Sequence, residues 1–252
     1  MPKSNSSCSS REGYTAHEKN FMLADADNED RLGYVRKVYG ILAAQLTVTF
    51  GFTACVQTID SLRANILFNS TWAAIFMLSW ITALIVQIGL LCCIKNARRT
   101  PTNYILLSIF TICWTIMIGC ITADVDQATV LTATLMTAVI TITLSTYAMF
   151  TKSDFTTMCG PFVCFGLLII LLVSIAMSLL SMLVFTFADV WIPFAAGFGV
   201  LVYGLFLLID TQLVVGGGRY ELSIDDYVVG ALILYIDIIM IFLYLLRMFG
   251  GK

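Results

Sequence analysis

The sequence is poor in charged residues and has almost no histidine. Of its 252 residues only 12% are Asp, Glu, Lys or Arg, and one is histidine; soluble domains typically carry ~25% charged residues. With 14 basic and 16 acidic residues the net charge is −2, so there is no basic field to attract nucleic acid. A water-soluble globule and a nucleic-acid-binding protein are both excluded.

Metal-binding and disulfide signatures are also missing. The eight cysteines form no C-x-x-C pair, and all except Cys8 lie in or beside apolar runs. A zinc site needs four converging nitrogen or sulfur ligands, and the lone histidine, His17, lies in a polar N-terminal segment. We therefore expect no cofactor, and we interpret the cysteines as small apolar packing residues.

Hydrophobic residues make up 59% of the chain and are arranged in long runs separated by short polar breaks. A helix needs about 20 apolar residues to span a membrane, whereas barrel strands would alternate in polarity over ~10 residues. The runs predict an all-α membrane protein, a bundle of seven transmembrane helices. The predicted spans are Val38–Ile59, Trp72–Ile94, Tyr104–Thr122, Ala128–Phe150, Pro161–Phe187, Val190–Val215 and Val228–Met248.

The polar segment 1–34 has no helical or strand period, so we expect a disordered tail followed by a transmembrane domain over residues 35–252. Eleven of the 14 basic residues fall before the first predicted span or in loops on that side of the membrane. Because basic residues concentrate on the cytosolic side, the N-terminus is predicted to be cytosolic. The loops around Asp124, Asp126 and Asp189 would then face the lumen or the exterior.

Only two of the 16 acidic residues, Asp210 and Asp237, lie inside predicted spans. A carboxylate in hydrocarbon costs about 2.5–3.5 kcal/mol on insertion scales, so each needs a compensating partner. At 1.5 Å per residue, Asp210 lies about 8 Å and Asp237 about 14 Å inside the cytosolic ends of neighbouring antiparallel helices. We therefore expect the two carboxyl groups to lie close together.

Two carboxyl groups in a low dielectric are expected to share one proton and to titrate as a pair. Loss of that proton would leave a doubly negative, oxygen-rich site suited to Ca²⁺, so Asp210 and Asp237 are also candidate Ca²⁺ ligands. The alternative is that each aspartate only forms hydrogen bonds within the bundle. The predicted fourth span adds hydroxyls at helical spacing, which either line a wet path or donate to their own helix; these are Thr134, Thr137, Thr141 and Ser145.

Three motifs resemble those of the Bax-inhibitor/lifeguard family of membrane proteins. They are the Val-Arg-Lys-Val-Tyr segment ending at Tyr39, the segment Ile209–Gly217 around Asp210, and Tyr227 followed by Leu234–Ile239 around Asp237. The match extends over most of residues 35–250, and the order of the motifs agrees. The resemblance implies a seven-helix fold in which the last helix is central and wrapped by the others.

The resemblance also implies a function. In the family an aspartate pair senses pH and gates a Ca²⁺ leak, and Asp210 and Asp237 occupy those positions. An arginine after helix two can latch to the pair, and Arg98 and Arg99 are the candidates. Members are commonly intracellular membrane proteins that lower store calcium and protect cells from apoptosis. The implied protein is not an enzyme; it lies in an endomembrane bilayer, passes Ca²⁺, responds to protons and acts with apoptosis-regulating membrane proteins.

Two departures from the family pattern stand out. The usual Ser-Pro-Glu-Glu-Tyr is Ser-Ile-Asp-Asp-Tyr over residues 223–227, so the last helix keeps acidic residues at its start but lacks proline. The polar residue often found three positions after the second aspartate is Met240. One hydrogen-bond partner of the pair is therefore expected to be missing.

Other functions place aspartates or seven helices in membranes. An intramembrane aspartyl protease would need a Gly-Leu-Gly-Asp-like segment and a Pro-Ala-Leu motif, whereas Asp237 follows Leu-Tyr-Ile. A seven-helix receptor would carry Asp-Arg-Tyr and Asn-Pro-x-x-Tyr, which are absent. A proton-coupled transporter and a non-conducting regulator of cell death stay open as alternatives to a leak channel.

Overall fold

The computed structural model describes residues 28–92, 98–151, 153–156, 188–216 and 222–250, which form helices joined by short connections. A single 3₁₀ turn, Ile224–Asp226, precedes the last helix. The helices are α1 (Asn28–Thr58), α2 (Asp60–Phe68), α3 (Thr71–Cys92), α4 (Thr102–Ala123), α5 (Gln127–Phe150), α6 (Ala188–Val215) and α7 (Tyr227–Phe249).

Six of these helices, all except α2, are long and apolar enough to cross a membrane. They coincide with six of the seven predicted spans, so the all-α membrane fold is confirmed. The predicted span Pro161–Phe187 lies outside the described residues, and the count of seven therefore stays a prediction.

Helix α1 begins at Asn28, ten residues before the predicted span, so residues 28–34 of the predicted tail are helical. Two features stabilise this extension. Glu29 and Asp30 lie in the first turn, where negative charge interacts favourably with the helix dipole. Tyr34 is buried, with its hydroxyl beside Gly230 of α7. Residues 1–27 lie outside the described part of the chain.

Helix α2 has no counterpart among the predicted spans because its nine residues are too few to cross a bilayer. It lies across the ends of α1 and α4, and its Ile66 is buried in a small apolar cluster with Val56 and Ala123. The sequence predicts no span between Ile59 and Trp72, so this helix is a finding of the structure.

Helix α7 lies at the centre of the described helices, as the family resemblance implies. It packs against α1, α4, α5 and α6. In its most apolar stretch 67% of the residues are buried inside the protein, against 22% in α3 and in α5. The outer helices instead expose large apolar side chains, which is the pattern expected of surfaces that contact lipid.

Close packing of α6 on α7 depends on glycine. A Cβ atom at Gly199 would lie 2.6 Å from the ring of Tyr244, so a larger residue there would push the two helices apart. Helix α6 then ends at Gly216, whose φ of 75° lies in the left-handed region that glycine adopts without strain. Gly217 and Gly218, which follow Gly216 in the sequence, lie outside the described residues.

Candidate functional site

Asp210 on α6 and Asp237 on α7 are brought together. Their carboxyl groups interact directly, at a separation that allows a hydrogen bond between them when one is protonated. Asp237 is buried, with 5% of its surface exposed, and Asp210 is partly buried. The contact between the two side chains agrees with the depth estimate made from the sequence.

The antiparallel packing of α6 and α7 positions the pair. A Cβ atom at Gly230 would lie 3.2 Å from Val214, and one at Gly199 would contact Tyr244, so the two helices run past each other in constant register. This register brings residues 210 and 237 to neighbouring levels. Both lie in the half of the membrane nearer the face at which α6 ends and α7 begins, which we call the near face.

A small cluster of hydroxyl groups includes Thr211, the residue that follows Asp210 on α6. The Tyr39 hydroxyl of α1 lies beside the hydroxyls of Thr211 on α6 and Ser145 on α5. Three buried oxygens have no hydrogen-bond partner among the described residues: Tyr39 Oη, Thr211 Oγ1 and Asp237 Oδ2. Buried polar atoms are usually paired with protein or water, so these oxygens are candidates to bind water.

The other hydroxyls that the sequence placed on this span behave differently from Ser145. Thr134 donates to the carbonyl of Val130 at 2.8 Å, and Thr137 to that of Ala133 at 2.7 Å. Both hydroxyls therefore donate to carbonyls of their own helix, which is the second of the two interpretations given above, rather than lining a wet path. Thr141, one turn before Ser145, has a buried hydroxyl with no hydrogen-bond partner in the described ranges.

The arginine expected at the pair has a different partner. Arg98 forms a bidentate ion pair with Asp226, with 2.7 Å from Nε to Oδ1 and 2.9 Å from Nη2 to Oδ2. Asp226 precedes α7, so Arg98 ties the connection before α4 to the start of α7 rather than contacting Asp210 or Asp237. Arg99 is exposed, and its backbone carbonyl accepts a hydrogen bond from Asn103.

Tyr227, the first residue of α7, extends this near-face network. Its hydroxyl accepts a hydrogen bond from Asn103 Nδ2 at 3.0 Å, and the Lys37 ammonium lies 3.3 Å from its ring centroid. Arg31 of α1 donates to the carbonyls of Val215 and Gly216 at the end of α6. Polar contacts therefore join α1, α4, α6 and α7 at the face nearest the aspartates.

A Ca²⁺ ion prefers six to eight oxygen ligands. Within the described ranges no cluster of three or more His, Cys, Asp or Glu side chains is present. The aspartate pair supplies up to four carboxylate oxygens. These oxygens suit a hard cation bound weakly, with water completing its shell.

Comparisons with known proteins agree with the motif resemblance. The family model described as "Inhibitor of apoptosis-promoting Bax1" matches residues 31–252. The chain belongs to the Bax-inhibitor/lifeguard family. Human "Protein lifeguard 3" is 32% identical over 90% of this chain and 71% of its own length. The mouse protein of that name is 30% identical over the same shares, and Arabidopsis thaliana "Protein LIFEGUARD 4" is 31% identical over 88% and 85%.

Membership of the Bax-inhibitor family and six membrane-crossing helices make this chain a multi-pass membrane protein of a family that modulates apoptosis.

The structure also explains one departure from the family pattern, the missing proline before the last helix. Ser223 and Asp226 form a capping box before α7, in which the Ser223 amide donates to Asp226 Oδ2 at 3.3 Å. Asp226 thus helps to cap the 3₁₀ turn that leads into α7 and also binds Arg98, even though the usual proline is missing.

Tyr39 and Thr211 are the site residues that reasoning from the sequence missed. Thr211 follows Asp210 directly, and its position in an apolar span was a usable signal. Tyr39 lies at the start of a different span, about 170 residues away in sequence, and nothing local links it to the aspartates. Only the packing of α1 against α6 brings it to Thr211.

Proposed function

We propose that this protein is a pH-sensitive Ca²⁺ leak channel of an intracellular membrane, gated by one proton shared between Asp210 and Asp237. The observation that carries the proposal is the direct interaction of the two carboxyl groups on adjacent buried helices. By lowering store calcium, the channel would restrain apoptosis, in keeping with the family to which the chain belongs.

The chemistry of the pair gives the direction of the pH response. When one proton is shared, the protonated carboxyl donates to the other and holds α6 against α7, so the path is closed. When the proton is lost, two unit charges about 4 Å apart at an effective dielectric constant of ~20 repel by roughly 4 kcal/mol. That energy can change the ratio of closed to open conformations by about a thousandfold. Flux is therefore expected to rise with pH.

The carboxylate oxygens of the pair support Ca²⁺ as the permeant ion. After deprotonation they attract a divalent cation, and two carboxylates with water as the remaining ligands do not bind it tightly. A site of this kind favours passage over retention, because an ion must also be able to leave.

The proposal is tested by reconstituting the purified protein in liposomes loaded with a Ca²⁺ indicator and measuring Ca²⁺ influx at a series of pH values. We expect influx to be low at acidic pH and to rise through one transition. Protein-free liposomes provide the baseline. Absence of protein-dependent influx at every pH would reject the leak and favour a non-conducting regulator of cell death.

The same liposomes separate a leak from a proton-coupled transporter. A transporter that uses the aspartate pair would move protons or a second solute in stoichiometric exchange with Ca²⁺. A passive leak moves Ca²⁺ down its gradient, and collapsing the proton gradient with an ionophore leaves its rate at a given pH unchanged. A rate that falls when the proton gradient is collapsed would favour the transporter.

The proposed orientation has the N-terminus and the near face in the cytosol, because basic residues such as Arg31, Lys37 and Arg98 concentrate there. Protease added to intact organelles should then remove an N-terminal epitope tag, since the tag would be accessible from outside. Protection of that tag, with cleavage only after the membrane is permeabilised, would reverse the assignment.

A further inference from the structure

A second set of polar side chains lies in the membrane, away from the aspartate pair. Four polar residues of α1 recur every four positions and therefore share one face of that helix. All four are buried, with exposed fractions of 0–8%, in a helix long and apolar enough to span the membrane. With two buried threonines of α4 they form what we call the polar seam: Gln45, Thr49, Thr53, Gln57, Thr111 and Thr115.

Hydrogen bonds join the two helices along this seam. Gln45 Nε2 donates to Thr111 Oγ1 at 2.9 Å. The Thr49 hydroxyl lies 3.1 Å from that of Thr115 and 2.8 Å from that of Tyr235 on α7. These contacts alone would stabilise the association of α1 with α4, which is a common use of polar residues in membrane helices.

The two glutamines indicate more than helix association. Gln45 Oε1 and Gln57 Oε1 have no hydrogen-bond partner within the part of the chain that the structure describes, and the two residues are only 5% and 8% exposed. In hydrocarbon an unpaired acceptor has no solvent to compensate it. Water molecules or a cation are the species that satisfy an amide oxygen without a donor, and one such oxygen lies at each end of the seam.

The depth of the seam follows from the register of α1 and α7. Val38 packs at Gly230, and the ring of Phe50 packs edge-on against Phe242, so the two helices run parallel in constant register. This register places Gln45 at the depth of Asp237. From there the seam extends to Gln57, one residue before the end of α1 at the far face of the membrane.

The seam and the aspartate pair flank α7 on different sides. Tyr235 contacts the seam and Asp237 contacts Asp210, and two residues along a helix point about 200° apart. The polar seam and the aspartate pair therefore reach the same depth in the membrane but lie on different sides of α7. An ion cannot pass straight from one to the other in this conformation, which is the property of a closed path.

We propose that the polar seam is the water-filled outer half of the ion path, along which hydrated Ca²⁺ moves between the far face and the depth of the aspartate pair. The inference rests on the proposed leak function. Amide and hydroxyl oxygens are ligands that Ca²⁺ accepts. Arg63 of α2 closes the outer end, because it donates to the carbonyls of Ala123 and Val125 at 2.8 and 3.0 Å beside Gln57.

Thr53→Val tests the seam with little effect on packing. The Thr53 hydroxyl donates to the Thr49 carbonyl of its own helix at 2.9 Å, and valine preserves the volume of the side chain. We expect Ca²⁺ influx at alkaline pH to fall about tenfold, the effect of roughly 1.4 kcal/mol on a barrier. Thr47→Val is the matched control, because Thr47 makes the same bond to Ala43 at 2.7 Å but is exposed on the other side of α1.

Substitutions at Gln57 separate conduction from helix packing. Gln57 Nε2 donates to the Thr122 carbonyl at 2.6 Å, and both Gln57→Leu and Gln57→Glu remove that donor. If the seam only joins helices, both variants lose stability and influx alike. If the seam conducts Ca²⁺, Gln57→Leu lowers influx, whereas Gln57→Glu adds a negative charge at the outer end and raises it.

The outcomes distinguish this inference from the leak itself. If the wild-type protein shows pH-dependent influx and Thr53→Val and Gln57→Leu leave that influx unchanged, the seam is not part of the ion path. The proposed leak function would then still stand. Absence of wild-type influx would overturn both. Reduced influx in Thr53→Val, normal influx in Thr47→Val and raised influx in Gln57→Glu is the pattern expected of the seam.

Discussion

Ca²⁺ influx into liposomes containing Asp237→Asn or Asp210→Asn protein should no longer change with pH. Asparagine keeps the size of the side chain and can hydrogen-bond to the remaining aspartate, but it cannot ionise. Either variant therefore lacks the doubly charged state in which the two helices repel each other. The expected influx stays near the low value of the wild-type protein at acidic pH, and the alkaline increase is lost.

Asp124→Asn serves as the matched control, because Asp124 is an exposed carboxylate at the end of α4, far from the pair. It should retain the wild-type transition, which shows that the loss is specific to the pair rather than to total charge. A wild-type pH response in both the Asp210→Asn and Asp237→Asn proteins would remove the sensor role from these residues. The same measurement on the double variant checks that the two residues act as one unit.

The Arg98–Asp226 ion pair gives the second large effect, on stability. The two side chains are 21% and 14% exposed and form two short charge-assisted hydrogen bonds. Arg98→Asp places two negative charges at the start of α7, and we expect it to cost about 2 kcal/mol. For a protein of this size that corresponds to a fall of about 4–8 °C in melting temperature.

Exchanging the two charges separates pairing from other causes. The double variant Arg98→Asp, Asp226→Arg should regain much of the stability that each single change removes, because opposite charges meet again. Arg99→Asp is the control, since Arg99 is exposed next to Arg98, and it should shift the melting temperature by about 1 °C or less. Melting temperatures in detergent by circular dichroism provide the measurement, and a double variant no more stable than the singles would contradict the pairing.

Much of the fold was predictable from the sequence because a bilayer imposes simple rules on it. Spanning helices need long apolar runs, and six of the seven predicted spans coincide with described helices. The failures also have a physical cause. Helix α2 is too short to give a transmembrane signal, and the early start of α1 depends on burial of Tyr34 against α7. Both elements are stabilised by tertiary contacts that a local pattern does not contain.

The candidate site was only partly predictable. Asp210 and Asp237 stood out because ionisable residues are costly in hydrocarbon, and a short connection made their helices neighbours. The partner of Arg98 could not be derived in this way. Both the aspartate pair and Asp226 offer carboxylates to an arginine near the same membrane face, and spacing along the chain does not decide between them. The four-residue spacing of Gln45, Thr49, Thr53 and Gln57 is visible in the sequence, but only the structure shows that this face of α1 is buried.

The sequence by itself determined that this protein is a helical membrane protein of the Bax-inhibitor family and that two aspartates lie within its spans. Composition and run length suffice for this, because the cost of burying charge in lipid leaves few alternatives. Tertiary structure decided which groups meet: Tyr39 beside Thr211, Arg98 on Asp226, and the polar seam on the side of α7 away from the aspartates. These contacts depend on helix register and rotation, which are set by packing between helices distant in sequence.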